Sequence, residues 1–151
     1  MGVNAGPEMH GPTINRAGDT TNMRSLETID PTALEQTLRQ FVTPEGRSVG
    51  TQGNIQARQF IVDCLVRAEI EPYSEDEYLH PYRNMYSVNG ESVNVAARIP
   101  GSDRTLPPLL IGAHYDTCGP QPGADDNGAA VAILLHISPL MKKRRFRRDI
   151  I

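Results

Sequence analysis

Between Leu109 and Leu135 the chain reads LLIGAHYDTCGPQPGADDNGAAVAILL, and this stretch leaves a fold few choices. Leu109 to Ala113 is a short apolar run behind Pro107-Pro108, which predicts a buried strand. His114 and Asp116 stand at its end, and in extended backbone residues two apart point to the same side. A Gly- and Pro-rich loop from Gly119 to Gly123 leads to Asp125-Asp126. Gly128 to Leu135 is then apolar on every side, as in a helix buried inside a domain. Strand, loop and helix therefore gather one imidazole and several carboxylates at the carboxyl end of a strand. That is where open α/β sheets hold their ligands.

The remaining elements follow from local signals. Asp30-Pro31 reads as an N-cap followed by Pro at the first helical position, with Leu34, Leu38, Phe41 and Val42 on one face. From Asn54 to Ala68 the apolar residues recur at helical spacing, with Arg58, Gln59, Asp63 and Arg67 opposite. Ile70 to Leu79 reads as a weak strand, and Pro72 suggests that it lies at an edge. Asn89-Gly90, between Met85–Val88 and Glu91–Ile99, is the signal of a two-residue hairpin turn. Asp149-Ile150-Ile151 resembles the start of a further strand. Helices before and after a set of strands give an α/β class with a mixed sheet. Residues 1–29, polar and without periodicity, are expected to be disordered or loosely packed, and residues 30–151 to form the domain.

Composition narrows the function classes. Six of the fifteen Lys and Arg fall in KKRRFRR (residues 142–148), leaving the first 141 residues nine bases against seventeen acids, a net of −8. The basic run is read as a solvated helix end, where cations suit the negative end of the dipole, so neither nucleic acid nor a membrane is expected as partner. Cys64 and Cys118 give no disulfide framework and no zinc-knuckle spacing; both are expected reduced, with Cys64 in a core. No apolar stretch approaches the roughly 20 residues of a membrane helix, and the N-terminus lacks the apolar segment of a secretory signal. Gly6 also stands where a myristoylation motif needs Ser or Thr. Localisation is therefore unspecified, with the cytoplasm as the default. Oligomeric state is unspecified too.

Chemistry can reside in two places. A neutral imidazole is the commonest metal ligand, and a carboxylate usually holds its other nitrogen; His114 and Asp116 suit that role or that of an ordinary hydrogen-bonded pair. Adjacent carboxylates at Asp125-Asp126 are costly unless something positive sits between them. Either Asp126 or Asn127 caps the following helix, or a carboxylate bridges two metals about 3.5–4 Å apart.

NVAARIPG (residues 94–101), LLIGAHYDT (109–117) and PGADDNGAAVAILL (122–135), with the earlier GRSVGT (46–51), resemble the co-catalytic zinc exopeptidases. That group includes bacterial leucyl aminopeptidases, aminopeptidase Y and, more distantly, glutaminyl cyclases. The resemblance implies a three-layer α/β/α sandwich with a mixed sheet, of which this chain is the N-terminal portion. It implies two zinc ions, with His114 a ligand of one and Asp126 bridging both. Asp116 becomes the carboxylate that orients His114, its contribution to catalysis, and Asp125 a neighbour shaping the loop. The reaction implied is hydrolysis of the N-terminal peptide bond of a peptide substrate.

The chain departs from the pattern at Gly128-Ala129-Ala130, at His136 and at Pro139, which is expected to end or kink the helix near Ser138. The family's general base, in a Glu-Glu pair, and its remaining ligands follow the strand that begins at Asp149. None is present in the sequence, so weak zinc binding and no catalysis are expected. An apolar edge and face left open at Leu109 would favour aggregation or molten character. Two alternatives stand beside this reading: glutaminyl cyclase-like acyl transfer, against which the intact Asp125-Asp126 pair argues, and a metal-free remnant or interaction module.

Overall fold

A computed structural model describes residues 29–83 and 91–151. Helix α1 (Pro31–Phe41) starts as its capping signal requires, with the Asp30 carboxylate accepting from Thr32 N at 2.9 Å. Helix α2 (Gln52–Arg67) begins two residues before the expected Asn54, because Thr51 is the N-cap and its hydroxyl accepts from Asn54 N. Its Ala57, Ile61 and Leu65 join Phe41, Ile70, Ile99, Val131 and Ile150 in the core.

The expected strand from Ile70 to Leu79 is split. It forms β1 (Glu71–Pro72) and β2 (Leu79–Tyr82), separated by a turn in which Glu75 and Asp76 take positive φ and Glu77 N donates to Ser74 O. Next come β3 (Ser92–Val95) and β4 (Ala97–Arg98). β2 pairs antiparallel with β3, from Leu79 opposite Val95 to Tyr82 opposite Ser92, and β1 pairs antiparallel with β4. Residues 79–82 are thus a strand partner of β3. The expected strand Met85–Val88 and the Asn89-Gly90 turn lie outside the described residues, as does the segment expected to be loose, save Ile29. Pro72 and Pro81 each lack an N–H, which strands with a single partner tolerate.

On the other side of β4, Ile150 bridges Ile99 antiparallel and Leu109 parallel. Leu109 N donates to Asp149 O, Ile151 N to Leu109 O and Ile111 N to Ile151 O. Residues 149–151 therefore run between 97–99 and 109–111, and the hydrogen-bonding pattern is mixed as expected. The expectation of a buried strand at Leu109–Ala113 is corrected. Leu109, Leu110 and Ile111 are exposed, Leu110 to 72%, because among the described residues only 149–151 pair with them.

Helix α3 (Ala129–Lys142) packs on α1 and α2. It continues past Pro139 to Lys142, so the helix does not end at Ser138. Proline removes the N–H that Leu135 O would accept. The far end is nonetheless pinned, since Lys142 Nζ donates to Ala68 O and Glu69 O at the end of α2. Nor is α3 buried all round: Val131 and Ala132 are buried, while Ile133 faces out. His136 Nε2 meets Thr37 Oγ1 of α1 at 2.9 Å, which gives that unusual histidine a packing role between helices. Among the described residues no helix is long and apolar enough to cross a membrane.

Candidate metal centre

Beyond Ile111 the backbone carries His114, Tyr115, Asp116 and Thr117 along one edge of a cleft of about 1060 Å³ whose walls include Val93, Val95, Leu134 and Ile150. The loop then turns at Gly119 and Gly123, both at positive φ. Ala124–Gly128 forms a wide turn closed by Gly128 N donating to Gly123 O at 3.0 Å. Within it Asp126 and Asn127 leave helical geometry, and their peptide bond is cis. No side chain caps α3, so Asp126 and Asn127 are not its N-caps.

The turn brings Asp126 back over the strand end. Asp126 Oδ1 lies 2.9 Å from His114 Nε2, while the other ring nitrogen faces Asp116, 3.5 Å from Oδ1 and 3.3 Å from its carbonyl oxygen. The imidazole thus sits between two carboxylates with a different nitrogen aimed at each. The Asp116 contact is longer than a hydrogen bond between such atoms, so its hold on the ring is looser than expected. Asp125 is exposed beside the pair.

Nitrogen and oxygen 2.9 Å apart can both reach a zinc ion, whose bonds to these atoms are about 2.0–2.2 Å. In kind the donors fit zinc; in number they fall short. Among the described residues no three His, Cys, Asp or Glu side chains form a metal-holding group.

Arg47 is the residue of this region to which sequence reasoning assigned no role. It is 0% exposed and spans the two loops of the site. Nε donates to Tyr115 O (2.7 Å), Nη1 to Pro122 O (2.5 Å) and Nη2 to Gly123 O (2.9 Å). Burial pulls its pKa below the usual guanidinium range, opposed by the charge of Asp116. Tyr115 is held in turn through its hydroxyl, which donates to Val93 O at 2.7 Å, and burial pushes this phenol up. The one available signal was an Arg set between glycines in GRSVGT.

The fold is that of an α/β protein. Residues 94–151 match Peptidase family M28, in line with the exopeptidase resemblance of the sequence motifs. A vacuolar membrane protease of Candida albicans is 32% identical over 102 residues, 68% of this chain and 12% of that protein. The LapA aminopeptidase of Legionella pneumophila shares the fold with a TM-score of 0.65 at 23% identity, over 84% of this chain and 34% of that one. A glutaminyl cyclase of an Acidobacteriales bacterium gives a TM-score of 0.60 at 22% identity, over 79% and 42%. The chain therefore spans about an eighth of the length of the Candida relative and a third of LapA.

Proposed function

We propose that this chain supplies the N-terminal half of the metal centre of a zinc aminopeptidase, with peptides as the substrate class. His114 is a zinc ligand through Nε2, Asp126 the carboxylate shared between two ions, and Asp116 the group that steadies the ring. The observation that carries this reading is the 2.9 Å approach of Asp126 Oδ1 to His114 Nε2. Two residues twelve apart in sequence, on a strand end and in a wide turn, bring a ring nitrogen and a carboxylate oxygen to one place. Zinc bound there would polarise a peptide carbonyl and make water a better nucleophile.

The role of these three residues is to hold and orient. No Glu-Glu pair occurs in the sequence, so the 151-residue chain is expected to bind zinc weakly and to leave peptides intact. Calorimetric titration with zinc tests this. The expected result is binding weaker than micromolar that His114→Ala abolishes. Two ions bound below micromolar, or binding indifferent to H114A, would overturn the assignment.

A further inference from the structure

We infer that Arg47 is the positioning residue of this site, a buried clamp that sets the strand end bearing His114 against the loop delivering Asp126. The inference rests on the metal-centre reading above and deepens it.

A fully buried cation is costly unless hydrogen bonds and opposite charge compensate it. Among the described residues no carboxylate is within hydrogen-bonding distance of the Arg47 guanidinium; its acceptors are three backbone carbonyls. Those carbonyls belong to Tyr115, between His114 and Asp116, and to Pro122 and Gly123, the latter three residues before Asp126. One planar fork thereby fixes the distance between two loops that carry the candidate ligands.

The clamp is itself held. Arg47 N donates to Thr117 Oγ1 at 2.7 Å, Arg47 O accepts from Asn54 Nδ2 at 2.9 Å, and the guanidinium lies over the Phe41 ring at 4.5 Å. Its neighbours leave no slack. A Cβ at Gly46 would come within 2.8 Å of Gly119 O and Thr117 Oγ1, and one at Gly123 would lie 3.1 Å from Arg47 Nη2. Lysine keeps the charge but is a single point donor on a flexible stem, so it cannot bond three separated carbonyls in a fixed plane.

The test uses the whole chain with Arg47→Lys, and with Arg47→Gln should the buried ammonium prevent folding. Two readouts are taken: amide hydrogen exchange, and zinc affinity by calorimetry. Protection of the Gln121 and Gly128 amides, which bond within the loop, should fall at least tenfold more than that of the Ile61 and Leu65 amides of α2. Zinc affinity should fall about 10- to 100-fold, the usual effect of removing a group that orients ligands. Ile61→Val, which loosens the core away from the site, should lower the melting temperature and leave zinc affinity within about twofold. Loop protection unchanged in the Arg47 variants, or lost in step with α2, would overturn the clamp. Failure of the parent chain to bind zinc would sink the metal reading, and the exchange pattern would still decide the role of Arg47.

Discussion

At the scale of residues, the imidazole of His114 has two carboxylates at different distances, and the difference ranks them. Asp126 at 2.9 Å should matter to zinc directly, while Asp116 at 3.5 Å acts through the ring. Asp126→Asn is expected to weaken zinc at least tenfold and Asp116→Asn several-fold less, measured by competition with a chromophoric chelator; the reverse order would exchange their roles. Tyr115 gives a pH prediction. Burial raises its pKa, so the folded chain holds the phenolic proton more tightly than the unfolded chain does. Its contribution is complete below the ordinary tyrosine value of about 10 and is lost as pH rises through the folded-state value. Melting temperature should therefore fall above about pH 10, and Tyr115→Phe should flatten part of that fall; Tyr78, raised by burial in the same way, accounts for a further part. The two thiols differ by exposure: Cys118 is open, while Cys64 is half-buried and pushed up by burial. Iodoacetamide should label Cys118 at least roughly tenfold faster, read by mass spectrometry.

At the scale of elements, what the sequence disclosed depended on how local the cause was. Asp30-Pro31 and the apolar period of α2 are decided within one or two turns of chain, and both helices stand where the pattern puts them. The pairing of residues 79–82 with β3 was not legible, because strand pairing is decided by residues far apart in the chain and the Asn89-Gly90 signal pointed only to the nearest run. Arg47 shows the same limit for the site. His114, Asp116 and Asp126 lie within thirteen residues and could be read as a motif, whereas the acceptors of Arg47 lie 68 to 76 residues away. Pro139 is the element-scale prediction. It interrupts the α3 hydrogen bonds without ending the helix, so Pro139→Ala should stabilise the fold by roughly 1–3 kcal/mol in urea unfolding. A lower midpoint would mean that Pro139 contributes packing that the geometry does not reveal.

At the scale of the whole molecule, backbone pairing runs from β1 and β4 through residues 149–151 to Leu109, which has no further strand partner among the described residues. Leu109, Leu110, Ile111 and Ile133 expose apolar side chains, and the cleft beside His114 is open above them. Surfaces of this kind associate or bind apolar dyes. The chain is expected to sediment as concentration-dependent species and to enhance ANS fluorescence; a monomer with a sharp cooperative melt and no dye binding would contradict that. The sequence had the apolar run right and its burial wrong, because burial of a strand is a property of its neighbours.

The account depends on one point in space at which His114 Nε2 and Asp126 Oδ1 meet. Long-range proton–nitrogen NMR of the histidine rings during zinc titration interrogates that point directly. Zinc should move the Nε2 resonance of His114 before those of His80 or His136, and Asp126→Asn should shift the midpoint at least tenfold higher. A first response at another histidine, or a midpoint untouched by D126N, would contradict it.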